Sequence, residues 1–533
     1  MYFIFFDSSF PLNKIPKHMK KQITLAALVA FSSILSAQVI SVGSYDASGN
    51  LINNFITSDT TWGDDETDVV LNGPIYVKDA TLKILPGTIV RGQPRGNRLP
   101  GSLIVTKSGR IEADGLPNNP IIFTTAALDK DSNGTPDGSN GSLDRWDSDP
   151  VEDFYDENPA TLPLGLTANG TIEGNIVDSS ELSGMIDNDN TQLWGGLIIL
   201  GEAPTNLGDG SANGANPNIG AGLGYVEGLE NSEDTEYGGS VANDDSGILR
   251  YVSVRHGGDE IGVVGNEING ITLAGVGFGT TVEFCEVYLN YDDGFEWFGG
   301  TVNGNHLMAS FVGDDSFDGD QGWIGQVQFA FAVQSHITIG VSGGDEAFEF
   351  DGDDAPDINE DLDGNIIPLP SYAFANFTIV GPTGASNRDT RAKANGRITL
   401  RNGFVGDLYN GYVVNCTGSF IDYSSTATAA LLDTITIDDS NDTSVPTGTG
   451  LTTANIVLPA SASGLLGENQ DASNGLDPRP VTGLGVSGVS SSISLPAPFD
   501  NTVDYVGAFP TSPALDLWTK GWTALNIRGI LVD

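Results

Sequence analysis

Cysteine, histidine and positive charge are scarce in this chain. Among 533 residues there are two cysteines, Cys285 and Cys416, and four histidines, at positions 18, 256, 306 and 336. Two thiols cannot staple a disulfide scaffold, and so few scattered imidazoles form no zinc-binding spacing. The cysteines read either as small apolar strand residues or as one disulfide formed in an oxidising compartment. Lysine and arginine number 23 against 70 acidic residues, a net charge of -47. A surface of that sign repels nucleic acids and anionic membranes, so no nucleic-acid partner is expected. Helical periodicity is nearly absent beyond the first 40 residues, and so is any apolar run long enough to span a bilayer. What the chain has instead is glycine (69), a hydrophobic share of 39% that is enough for a core, and only 17% charged residues. That balance excludes wholesale disorder and suits a β-rich extracellular protein.

Residues 1–37 read as a leader. Met1 to His18 resemble an over-long start, and Met19 opens a better one: Lys20 and Lys21, the apolar run Ile23 to Leu35, then Ser36-Ala37. A basic start, an apolar stretch and small residues at the end make a secretory signal peptide, with cleavage expected after Ala37. The run is shorter than the roughly 20 residues a membrane span needs. The protein is therefore expected to be exported, to the extracellular space, the cell surface or the periplasm, with no transmembrane segment in the mature chain.

Past the leader, short strands rich in β-branched residues alternate with Gly, Asn and Asp. Examples are Ala80–Arg91, Gly101–Gly109, Pro120–Thr125 and Trp194–Gly201. Tight hairpin signals are few, and strands recur about every 20–25 residues, which is the mark of a solenoid. The order Leu-x-Ile-x-Pro-Gly-Thr-x-Val (82–90), Gly-x-Ile-x-Ala-x-Gly (109–115), Pro-Ile-Ile-Phe-Thr (120–124), Trp-Gly-Gly-Leu-Ile-Ile-Leu-Gly (194–201) and Leu-Arg-Tyr-Val-Ser-Val-Arg-His-Gly-Gly (249–258) resembles secreted bacterial right-handed parallel β-helix proteins. These belong broadly to the pectin-lyase-like superfamily. The resemblance runs from about residue 70 to about 420 and implies an all-β, single-stranded, right-handed parallel β-helix. It implies no single activity, because the superfamily mixes polysaccharide lyases, glycoside hydrolases and adhesins. The expected organisation is a β-helix over 38–425, with loops projecting at about 126–190 and 203–246. A C-terminal region, 426–533, packs on or caps the solenoid.

The strongest motif is a repeat of acids. Asp292-Asp293-Gly-Phe295-Glu296 recurs as Asp314-Asp315-Ser-Phe317-Asp318 and again as Asp345-Glu346-Ala-Phe348-Glu349. Equivalent positions of successive coils stack about 4.8 Å apart. The phenylalanines should then form an inward ladder, and the acids three columns: 292/314/345, 293/315/346 and 296/318/349. Two unit charges at that spacing repel by roughly 3–4 kcal/mol at an effective dielectric near 20. The alternatives are bound cations, a solvated stripe or catalytic carboxylates. Hard oxygen ligands without His or Cys select calcium, which is the expected cofactor.

Two further segments carry calcium-loop spacing: Asp129-x-Asp131-x-Asn133-Gly134-x-x-Asp137 and Asn359-x-Asp361-x-Asp363-Gly364. Neither ends in the bidentate Glu of an EF-hand. Basic residues cluster once, at Arg388, Arg391, Lys393, Arg397 and Arg401. They read as ion-pair partners for the acids or, in a lyase, as the source of a proton-abstracting base, with Arg391 and Arg401 as candidates. A hydrolase would need paired carboxylates about 5–9.5 Å apart, for which only Asp292-Asp293 offers a weak match. Trp194, Trp297, Trp323 and Tyr291 could stack on sugars or fill the core. The sequence therefore points to an exported, monomeric, calcium-binding β-helix acting as a surface or secreted structural or carbohydrate-binding module. The alternative is a calcium-dependent lyase of acidic polysaccharide, or less readily a glycoside hydrolase.

Overall fold

The computed structural model describes residues 38–63, 67–95, 98–127, 191–207, 222–261, 266–334, 346–352, 372–381, 397–423, 429–438, 451–454, 476–480, 500–511, 515–527 and 531, apart from 227, 230, 402–403, 415–419 and 434. The leader, the segment 128–190, Cys416, the loops at Asp129–Asp137 and Asn359–Asp363, Asp345 and the bases Arg388, Arg391 and Lys393 lie outside them.

One ten-stranded sheet runs Phe55–Ile56, Pro74–Val77, Ser102–Val105, Leu197–Leu200, Ile271–Ala274, Phe295–Phe298, Phe317–Asp320, Phe348–Asp351, Ile398–Arg401, Ile421–Tyr423, in chain order. Every pairing along it is parallel. An eighteen-stranded sheet takes the other sides of each coil. There, early and late coils contribute two strands, such as Arg110–Asp114 and Ile121–Thr125, and the middle coils one long bent strand: Gly247–Arg255, Thr281–Tyr288, Asn303–Ser310 and Gln326–Val333. The chain is a right-handed parallel β-helix.

Alternation along each strand decides what faces inward. In the ten-stranded sheet one inward column reads Leu103, Leu197, Ile271, Phe295, Phe317, Phe348, Ile398, Ile421, all in the main core. The next inward column holds Trp297 and Phe350 with Gly319 between them. Trp323 fills the space that glycine leaves, stacked on Trp297 at 4.5 Å. A β-carbon at Gly319 would approach Phe350 to 2.9 Å. Trp194, Trp297 and Trp323 are all buried, so these aromatics serve the core. Cys285 is buried there too.

Each long strand bends at one residue with positive φ: Tyr251 (48°), Phe284 (52°), His306 (56°) and Phe329 (64°), followed by Asn376 and Asn410 on later coils. Asparagine tolerates this conformation; aromatic rings do not favour it. Here the rings stack instead, Tyr251 on Phe284 at 4.6 Å, Phe284 on His306 at 4.3 Å, His306 on Phe329 at 4.4 Å. Each aromatic contact contributes about 0.5–1.5 kcal/mol beyond area burial, which offsets the backbone cost.

The C-terminal segments lie over this corner. Trp522 meets Tyr251 edge-on and Trp518 meets His306 edge-on. Asn376 Nδ2 donates to Tyr505 O (2.8 Å), and Gly507 N to Asn410 O (2.8 Å). Val506, Phe509, Leu517 and Leu525 form a second apolar core with Tyr288, Met308 and Phe331 from the outer side of the long strands. A four-residue helix, Ala524–Ile527, begins on Glu286, whose carboxylate accepts from Ala524 N at 2.8 and 2.9 Å.

The insertion at 203–246 differs from expectation. Its described part does not project; Val226, Leu229 and Tyr237 lie flat against Ile104, Ile198, Leu200 and Ala274 of the ten-stranded sheet. Those sheet residues are apolar on their outer side and need a cover. No helix among the described residues is long and apolar enough to cross a membrane.

Candidate metal-binding face

The outer column of the ten-stranded sheet changes character partway along. It reads Ile104, Ile198, Thr272, then Glu296, Asp318, Glu349, Thr399 and Asp422. Because Phe295, Phe317 and Phe348 point into the core, the residue after each must point out. That turns the repeat into a column of carboxylates one strand apart.

The acid pair before each phenylalanine lies in the turn that enters the strand. Asp293 Oδ1 accepts Asp315 N (2.8 Å), and Asp315 Oδ1 accepts Glu346 N (2.7 Å). Glu346 in turn receives Arg397 Nε, at 3.0 and 2.9 Å to its two oxygens. The second acid of each pair thus braces the next turn, and the series ends on a guanidinium. Gly270 N of the preceding coil and Asn290 Nδ2 of the same turn donate to Asp293 O at 2.9 and 2.8 Å, which fixes the turn.

Two groups of three carboxylates have ligand oxygens within 4.8 Å of one another: Asp292, Asp293 and Asp314, and Asp293, Glu296 and Asp318. Asp293 belongs to both. Burial, first, and then the charges of Asp292, Asp318, Glu296 and Asp314 push Asp293 well above the usual carboxylate range. Burial followed by Asp293 and Asp314 does the same to Asp315. Burial followed by Asp320, Glu349 and Asp351 raises Asp318, against a hydrogen bond to Glu296 that lowers it. Glu349 is pushed up to about 7, chiefly by burial, although Arg401 pulls it down. Burial and mutual repulsion thus both act against the fully ionised cluster.

Two neutral side chains lie beside Glu296. Asn269, 1% exposed, donates Nδ2 to Glu296, and its Oδ1 has no protein partner. Thr272 is fully buried beside Glu296 in register, and its Oγ1 also lacks a protein partner. Carboxylates, a carboxamide and a hydroxyl are the ligand types of a hard divalent cation. These residues fit calcium. Near the same turns, burial raises Asp259 to about 6 although Arg95 Nε reaches it at 2.9 Å.

Not everything expected is assembled. Arg401 pairs with Glu349 (2.8 Å) and with Asp351. Those partners push its pKa further up, against burial. Of the columns predicted to carry metal, the one through Asp292 and Asp314 has its third member, Asp345, outside the described residues. Sequence reasoning missed Asn269 and Thr272, whose types carry no signal by themselves. It also missed Asp320 and Asp351, which a repeat of the form Phe-x-x-Asp at 317–320 and 348–351 could have revealed.

A family model described as a pectate-lyase-like beta helix domain matches residues 165–523. No curated protein matches the chain.

Proposed function

The chain belongs to the pectate-lyase-like β-helix family, and from that premise we propose that it is an exported calcium-binding protein whose acidic face serves as a structural or carbohydrate-binding surface. The observation that carries the reading is Asp293, common to two groups of three carboxylates packed within 4.8 Å. Such a cluster is costly as anions in a buried setting and inexpensive with a divalent cation between them. Asp292, Asp293 and Asp314 would hold one ion, and Asp293, Glu296 and Asp318, with Asn269 and Thr272 adjacent, a second. Bound calcium would neutralise the cluster and offer open coordination positions to the carboxylates of an acidic polysaccharide.

The test is a melting curve in chelator and in millimolar calcium, followed by retention of polygalacturonate on an affinity gel. A ligand bound only by the folded state stabilises by about 2.7 kcal/mol at a hundredfold excess over Kd. Identical curves would remove the metal, and loss of retention with calcium present would remove the carbohydrate.

Arg401 favours a second reading, a lyase, because it stands exposed on the same outer face as Glu349 and Asp351. A proton-abstracting arginine must be neutral, and its two carboxylate partners oppose that. Ultraviolet-absorbing unsaturated product from polygalacturonate, abolished by Arg401→Ala, would establish the lyase over the binding module.

A further inference from the structure

We infer that the acidic face receives the end of an acidic polysaccharide and not its middle; this deepens the carbohydrate reading above and rests on it. A ligand running along the solenoid axis crosses one strand about every 4.8 Å. Over the third to fifth strands of the ten-stranded sheet the outer face offers it no surface: Ile104, Ile198 and Thr272 have no exposure, nor have Leu200 and Ala274. Val226, Leu229 and Tyr237 cover them.

That cover is anchored to successive coils. Asp234 pairs with Lys78 and Glu236 with Lys107, while Gly238 N donates to Gly201 O at 2.9 Å. At its far edge the Tyr237 ring lies 6.2 Å from Phe298, and its hydroxyl bonds Gln321. Phe298 is 6% exposed. One strand further on, Asp318 and Asp320 are half-buried, then Glu349 and Asp351 likewise, and the Arg401 side chain is 44% exposed.

The open face therefore begins at the foot of a wall, and the buried oxygens of Asn269 and Thr272 lie at that foot beside Glu296. An extended chain laid along Arg401, Asp351 and Asp320 meets Phe298, with Tyr237 packed on it, and has to stop. Four strands, from Phe317–Asp320 to Ile421–Tyr423 and about 14 Å from first to fourth, lie ahead of the wall among the described residues. The fitting ligand is a short terminal stretch of a uronate-type chain. Its carboxylates would face the cation-bearing acids near the wall and the Arg401 guanidinium at the other end.

The experiment compares trigalacturonate with long polygalacturonate on the intact chain in millimolar calcium, by titration calorimetry. Affinity reckoned per uronate should fall about tenfold for each tenfold increase in chain length, since only ends bind. Affinity per uronate that is constant or rises with length would overturn end-on binding while leaving the carbohydrate reading intact. Binding of neither probe, in a protein that calcium still stabilises, would instead overturn the carbohydrate reading and this inference with it. Lys78→Ala/Lys107→Ala, which loosens the cover, should raise polygalacturonate binding with little change for trigalacturonate. An unchanged ratio in a variant with wild-type circular dichroism would also count against the wall.

Discussion

Asp293 Oδ1 accepts the backbone N–H of Asp315, one coil further on, at 2.8 Å. The same carboxylate that belongs to both candidate cation groups also sets the register of the next turn. Asp315 repeats the bracing contact on Glu346 but belongs to neither three-carboxylate group. Substituting the two aspartates therefore tests the proposed metal binding apart from the architecture.

Asp293→Asn keeps an oxygen to accept from Asp315 N and removes one charge. In chelator it should stabilise the protein by up to about 3 kcal/mol, the size of one such repulsion. It should also lose most of the calcium-dependent rise in melting temperature. Asp315→Asn should keep most of that rise. Equal calcium shifts in the two variants would refute the assignment of Asp293 as the shared ligand.

Acid should loosen the corner that carries the aromatic stack. Burial pushes His306 from its ordinary 6.5 down to about 3. The unfolded chain binds the proton first, so this contribution is complete above pH 6.5 and is lost as pH falls toward 3. At pH 5 the loss is about 2 kcal/mol, reckoned at 1.36 kcal/mol per pH unit. The carboxylates work the other way: Asp293, Asp315 and Asp318 are raised, so in chelator they favour the fold at low pH and oppose it as pH rises. His306→Phe in chelator should therefore gain stability between pH 7 and 5, while the wild type gains less or declines. Parallel pH profiles for the two proteins would contradict this.

Glu286 ties the C-terminal helix to the solenoid. It is fully buried, receives Ser253 Oγ at 2.6 Å and Ala524 N at 2.8 and 2.9 Å, and has Arg255 as a nearby charge. Glu286→Ala leaves that cation and those donors uncompensated and should cost about 3–5 kcal/mol. Glu286→Gln retains an acceptor and should cost less. Limited proteolysis should cut within 500–531 far sooner in the alanine variant than in wild type.

Gly319→Ala should destabilise by about 1–3 kcal/mol through overpacking against Phe350 and Trp323. Trp323→Ala on the same background should show non-additivity in a double-mutant cycle, because both changes act on one space. Strict additivity by denaturant titration would mean that the two residues do not share it.

The phenylalanine repeat made the core and its acidic outer column readable without coordinates, because parallel coils convert a sequence period directly into spatial register. Phe295, Phe317 and Phe348 are register partners, as are Glu296, Asp318 and Glu349. The stack at Tyr251, Phe284, His306 and Phe329 was not readable, since left-handed aromatic residues violate local preference and are maintained by one another and by the tail. Nor did the 203–246 insertion betray its place. Its Gly- and Asn-rich composition signals a loop, and only the apolar outer faces of Ile198 and Leu200 show that something must lie on them. Asn269 and Thr272 were invisible for a simpler reason: they meet Glu296 in space, not through any spacing in the chain.

Glu286 and Ala524 are 238 positions apart, whereas the acid turns that brace one another are separated by 22 and 31. Coils can therefore template one another in sequence as the chain emerges, each closing a short loop at modest entropic cost. The last closure is of a different kind, because it requires all the intervening coils and is intrinsically slow. Until it occurs, a carboxylate and a stack of rings stand bare along one edge of the rod. Closing that edge therefore ties the corner of the middle coils to residues far along the chain, through Trp518, Trp522 and Ala524.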